Sequence, residues 1–230
     1  MLSSLWHGLC DLISLSPCPR CRRALAPGDS AGSLCAECQG ELGLPRAGLQ
    51  GQRPLPWWAL GWYDGDLRRL LLQLRPNPRQ DLIEALAEQL SRGLACNLSW
   101  QAQLTGPAPL LVAIPSWKRR SNPLPQKLSG ALGRRLGGEE RSLLLRSRAT
   151  LGQHHLNRAL RQSNQDGSFA VKERAPTNAP AVVLIDDILT SGATARAAET
   201  ALQQQGWTVA GLLCLARTPR RQSASPWAMV

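Results

Sequence analysis

Two aspartates, Asp186 and Asp187, stand side by side at the end of the apolar run Val182-Val183-Leu184-Ile185. Adjacent carboxylates repel each other and are costly to remove from water, so their position calls for a ligand or a cation. After Ile188 and Leu189 the chain turns small and hydroxylated, with Thr190, Ser191, Gly192, Ala193 and Thr194. This stretch leads into a helical pattern. Unpaired amides and the macrodipole at a helix N-terminus favour an anion, and three hydroxyl groups add donors. Gly192 lets the backbone come close to a ligand. The acids suit a ribose diol and the loop suits a phosphate, so the residue types describe a site for a phosphoribosyl group or something close to it. A plain strand, turn and helix with capping hydroxyls is the competing reading, and the acid pair weighs against it. Neither a Walker loop nor a GxGxxG fingerprint occurs.

A second constellation lies near the N-terminus. CPRC (18–21) and CAEC (35–38) are separated by thirteen residues. Paired knuckles of this kind present four thiolates to one tetrahedral zinc, so Cys18, Cys21, Cys35 and Cys38 are the expected ligands of a structural ion with no open position for chemistry. Arg20, Arg22 and Arg23 would offset the charge of the tetrathiolate. Two disulfides or a redox pair are the alternatives, and the cytoplasmic location expected below disfavours them. Cys10, Cys96 and Cys214 read as small buried hydrophobes.

These residues need a scaffold of 230 residues to position them. Aromatic residues are scarce apart from eight Trp, so Leu, Ala and Val must build the core. The formal charge is +11, and all but three of the 27 basic residues are Arg, whose planar fork matches phosphate. Eleven basic residues against two acids fall between Lys118 and Arg161, a local net of +9. Such a field favours polyanions or phosphorylated small molecules. No run approaches a membrane span, and MLSSLWHGLCDLISLSPC lacks the basic start of a signal peptide, so the cytoplasm is the expected location. Residues 2–13 have the spacing of a short amphipathic helix.

Periodicity and breakers give the remaining elements. A strand or extended hairpin ending in a turn is expected at 57–65, and strands at 110–115, 182–186 and 207–216. Helices are expected at 67–75, 81–94 (capped by Asp81, ended by Gly93) and 193–206. A strand, a loop opening a helix and another strand make a βαβ unit, in which ligands bind at the carboxyl ends of the strands. The fold class is α/β, a parallel sheet flanked by helices. The divisions are 1–47 for the N-terminal helix and cysteine module, 55–105 for a strand and helical insert, and 106–230 for the α/β domain.

VVLIDDILTSGAT (182–194) resembles the 5-phosphoribosyl-1-pyrophosphate (PRPP) motif of type I phosphoribosyltransferases through all thirteen positions, with Ser191 where Thr is more usual. The wider layout resembles the ComF (late competence) family, also described as amidophosphoribosyltransferase-like. YDGDLRRLLLQLR (63–75) is similar to that family's Y-x-G-x-L-R-x-L-I-x-x-L-K segment, with Arg75 where Lys is usual. The segment 146–169 is similar to another of its motifs at Arg146, Arg148, Thr150, Gln153, Leu156, Arg161, Asn164, Gly167 and Phe169. RRSNPLPQ (119–126) departs from the family's R-G-F-N-Q loop, keeping Arg120, Asn122 and Gln126 as residue types.

The resemblance implies the type I phosphoribosyltransferase fold. It implies PRPP bound with Mg²⁺, Asp186 and Asp187 as catalytic and diol-holding residues, and Ile188 through Thr194 completing the site. Lys118, Arg119, Arg120, Arg146, Arg148 and Arg161 become candidates for pyrophosphate or DNA. It implies pentosyl transfer to a nitrogen nucleophile and a link to uptake of transforming DNA. The alternative is a catalytically inactive protein of the same fold that binds single-stranded DNA as a transformation accessory, with Trp57, Trp58, Trp62 or Trp117 stacking on bases; most of these Trp are expected in the core. Metal analysis of the purified chain is expected to return about one zinc per chain. A folded chain free of metal would rule the zinc reading out.

Overall fold

The computed structural model describes residues 17–103, 106–116, 122–147 and 168–219. The N-terminal helix expected at 2–13 lies outside them. In chain order the elements are α1 (Ala36–Glu41), β1 (Leu49–Gly51), β2 (Trp57–Trp62), α2 (Gly65–Leu74), α3 (Gln80–Ala95), α4 (Leu98–Gln103) and β3 (Leu110–Ala113). They continue with α5 (Leu124–Leu136), β4 (Glu139–Glu140), β5 (Leu144–Arg146), β6 (Phe169–Val171), β7 (Val182–Leu189), α6 (Ala193–Gln204) and β8 (Val209–Arg217).

Six strands form one sheet in the order β1-β2-β8-β7-β3-β4. All neighbours are parallel except the edge pair β1–β2. β5 and β6 make a separate antiparallel ribbon. The sheet is therefore mixed but mostly parallel. β2 pairs with β8, so residues of the 55–105 segment and of the C-terminal segment share one sheet.

The centre of the sheet is apolar on both sides, as parallel strands covered by helices must be. Val182 and Leu184 of β7 pack in one cluster with Ala195, Ala198 and Leu202 of α6. Val183 and Ile185 pack in the other with Leu71 of α2, Leu86 of α3 and Leu128 of α5. This gives three layers, helix on sheet on helix. From β3 the chain crosses through α5 to β4, toward one edge. From β7 it crosses through α6 to β8, toward the other. The direction of winding reverses between β3 and β7, which opens a crevice at their carboxyl ends.

Three local expectations change. β7 does not stop at Asp186. It runs on to Leu189, because β8 extends alongside it and Ile188 and Leu189 continue the buried run. Gly93 does not end α3, which continues to Ala95; the glycine is where the helix lies flat against Ala47, with room of only 3.3 Å between an added Cβ and the Ala47 carbonyl carbon. Asp81 is not the N-cap, which is Arg79; its carboxylate instead takes the Leu82 amide at 2.9 Å. Among the described residues no helix is long and apolar enough to cross a membrane.

Gly192 precedes α6 with φ +82°, and a Cβ there would stand 2.2 Å from Pro54 Cγ. Gly192→Ala is expected to cost about 2–5 kcal/mol in chemical denaturation, from the left-handed backbone plus overpacking. Adding Pro54→Ala should recover part of it. A single variant as stable as the parent would show that Pro54 yields freely.

Candidate functional site

The crevice between β3 and β7 is a cleft of about 260 Å³. Both acids line it, together with Arg75, Asn122, Arg146 and Thr194. Alternation along β7 sends the acids in different directions. Asp187 follows Val183 and Ile185, and Asp186 follows Val182 and Leu184.

Asp187 is almost fully buried, at 2% exposure. Its Oδ2 accepts hydrogen bonds from Arg75 Nε at 2.5 Å and Asn122 Nδ2 at 2.8 Å. Arg75 sits at the C-cap of α2, and Asn122 lies just before α5. Burial opposes the Arg75 cation, but the Asp187 carboxylate outweighs it and raises the Arg75 pKa. Asp186 is half-buried, and its Oδ1 accepts the Asp187 amide at 2.9 Å. Burial, then the charge of Asp187, pushes its carboxyl well above the usual carboxylate range. The two acids are therefore not equivalent. One is held by a cation and the other favours its proton.

The β5–β6 ribbon carries Arg146 to the opposite rim. Its Nε donates to the Pro115 carbonyl at 3.0 Å, and its guanidinium lies 4.2 Å from the centre of the Phe169 ring. Burial lowers its pKa and the charge of Asp186 opposes that. Of the six basic candidates, Arg146 is thus placed in the cleft. Lys118, Arg119, Arg120, Arg148 and Arg161 lie outside the described residues.

Thr190 and Thr194 line the same cleft as the acids. Ser191 Oγ accepts the Ala193 amide at 3.3 Å. Pro54 packs against Gly192 where a Cβ would stand. Arg217, buried at the end of β8, donates to the carbonyls of Leu189 at 2.8 Å and of Thr190. It fixes the loop from below. Arg217 was not singled out as a site residue in the sequence, and Arg75 and Asn122 stood out only as part of a resemblance. Their partners are 28, 65 and 112 residues away, so no local pattern marks them.

The four cysteines converge as expected. Their sulfurs lie within 4.8 Å of one another, and Cys21 Sγ is 3.7 Å from Cys35 Sγ. A disulfide needs about 2.05 Å, whereas neighbouring sulfurs around a zinc at about 2.3 Å stand about 3.8 Å apart. The cluster is compatible with a structural zinc. Burial opposes ionisation of Cys18, but amides including those of Cys21 and Cys35 outweigh it and draw the thiol down to about 6. Burial and the neighbouring thiols push Cys38 up to about 12. Of the three arginines expected to offset the thiolates, only Arg20 acts on one, since Cys38 and Glu41 raise its pKa against its burial. Arg22 and Arg23 instead pair with Asp81 and Glu37. Cys214 is buried as expected, but Cys96 is exposed at the end of α3.

Fold and site together define an α/β protein with a mostly parallel sheet, a ligand-sized cleft where its winding reverses, and a four-thiol module. No family model matches the chain. It is similar to the DNA utilization protein YhgH of Salmonella typhimurium, 31% identical over 219 residues, covering 87% of this chain and 90% of that protein. The same-named proteins of Salmonella typhi and Shigella flexneri are 30% and 29% identical at the same coverage. The chain belongs to the family of the DNA utilization protein YhgH.

An acid whose folded pKa is raised binds its proton more tightly folded than unfolded. Stability is then lost as pH rises above the ordinary Asp value of about 3.9 and stops falling once the folded pKa is passed. Asp186→Asn removes this loss and keeps the oxygen that accepts the Asp187 amide. The variant is expected to match the parent in thermal melts near pH 4 and to gain on it as pH rises, by at most about 1.4 kcal/mol per pH unit. A gap independent of pH would show that Asp186 is ionised at no cost.

Proposed function

We propose that the chain is a ComF-like member of the type I phosphoribosyltransferases. It binds PRPP in the cleft between β3 and β7 and serves the uptake or use of DNA from the cytoplasm. The observation that carries this reading is the meeting, in one cleft, of the acid pair of β7 with the hydroxylated loop that opens α6. A ribose diol donates to the carboxylates of Asp186 and Asp187. Ile188 and Leu189 are buried and carry the strand from the acids to the cradle. The 5-phosphate takes the hydroxyls of Thr190 and Thr194 and faces the positive end of the α6 dipole. Ser191, Gly192 and Ala193 shape that turn.

Arg146 stands across the cleft, where the pyrophosphate of such a ligand would lie. Lys118, Arg119, Arg120, Arg148 and Arg161 are assigned to pyrophosphate or DNA by resemblance alone. The reaction proposed breaks the bond from C1 of the ribose to pyrophosphate and forms one from C1 to a nitrogen nucleophile. The protein's part is to align the reactants and to stabilise the departing negative charge. Carboxylate oxygens are suitable donors for Mg²⁺, which would neutralise charge on PRPP when bound. The four cysteines hold zinc and fasten the N-terminal module. The role with DNA is supported by the name of the relatives.

Isothermal titration of PRPP with Mg²⁺ tests the reading. The parent is expected to bind, the Asp186→Ala/Asp187→Ala variant to lose at least tenfold in affinity, and Thr194→Val to weaken binding without touching the buried ion pair. A parent chain that takes up no PRPP overturns it.

A further inference from the structure

The loop at 189–192 has a second cleft beside it. Arg217, which holds the Leu189 and Thr190 carbonyls, also lines this groove, and so does Arg53, next to the Pro54 that packs on Gly192. The groove measures about 760 Å³, against about 260 Å³ for the cleft of the two acids. Its aromatic wall comes from both ends of β2. Trp57 is fixed by a hydrogen bond from its Nε1 to the Arg53 carbonyl at 3.0 Å, and the Arg217 guanidinium lies 5.5 Å from the centre of its ring. Trp62 is 42% exposed. The other described Trp, at 58, 100 and 207, are buried core residues.

The polar groups of the groove have a definite character. Among the described residues two guanidinium groups line it and no carboxylate does. Gln52 adds an amide, and the Thr218 hydroxyl is buried without a hydrogen-bond partner among the described residues. An exposed indole beside cations and amide donors matches a planar, hydrogen-bonding ring carried on an anionic backbone. Bases stack on aromatic side chains without regard to sequence while basic residues follow the phosphates. A purely apolar partner would leave Arg53 unused, and an acidic peptide would leave the Trp62 face unused. The volume exceeds that of the neighbouring cleft and leaves room for a short run of nucleotides.

We propose that this groove binds the unpaired bases of single-stranded nucleic acid, with Trp62 as the stacking face and Arg53 on the backbone. The proposal rests on the DNA side of the function above and is independent of PRPP. It places the strand beside the cleft of the acids, separated from it by the loop that Arg217 holds.

The test is fluorescence anisotropy of a labelled oligo-dT with the full chain. Trp62→Ala is expected to weaken binding about tenfold or more, and Trp62→Phe to keep most of it, because stacking needs an aromatic face and not an indole. Arg53→Ala should lower the slope of log K against log salt by about one. Trp62 is exposed, so thermal melts of its variants should match the parent. Oligo-dT binding unchanged in Trp62→Ala would overturn the proposal while leaving a DNA role through another surface. No binding by the parent would overturn both. A duplex of equal length binding as tightly, or displacement of the strand by an equimolar free base, would overturn the assignment to unpaired bases.

Discussion

The site depends on one ion pair, Arg75 with Asp187. β7 is covered by helices on both faces, so a carboxylate near its end must be paired or protonated. Asp187 is paired, by a guanidinium from α2 and an amide from the approach to α5. Asp186 takes the backbone amide of its neighbour, and burial together with the charge of Asp187 raises its pKa. Removing Arg75 would leave a buried charge unmatched, which is more damaging than never having formed the pair. The position of α2 against the sheet is thus set by electrostatics as well as by Leu67, Leu71 and Leu74.

α2 also connects the two constellations. Arg20, inside the first knuckle, donates to Asp66 in the first turn of α2 at 3.0 Å. Arg75 closes the other end of the same helix on Asp187. The cysteine module therefore bears directly on the helix that carries the counter-ion of the acids. A structural metal there would stabilise the cleft by restricting where α2 can sit. Arg79, the N-cap of α3, ties the module to the next helix as well, through the Pro19 carbonyl at 2.8 Å.

What the sequence made legible is what depends on near neighbours. The apolar run of β7, the helix after Gly192 and the meeting of two knuckles are short-range patterns, and each is found in the structure. The extension of β7 through the acids was not legible, because it depends on β8 supplying partners up to Arg217. The packing of Gly192 was not legible for the same reason: the φ requirement is local, but the neighbour that leaves no room for a Cβ there is Pro54, far away in the chain. Cys96 shows the limit of composition as a guide, since a small hydrophobe one residue past a buried helix face can point to solvent.

Arg217 shapes the electrostatics of the loop that opens α6. Carbonyl oxygens carry partial negative charge and repel a phosphate. At Leu189 and Thr190 those oxygens are turned to a guanidinium held under the loop. Their charge is offset, so the hydroxyls of Thr190 and Thr194 and the start of α6 act on the cleft with less opposition. The same guanidinium lies near the Trp57 ring and lines the larger groove. A single buried cation thus fixes the shape of the wall between two clefts, and any shift of β8 would be felt in both.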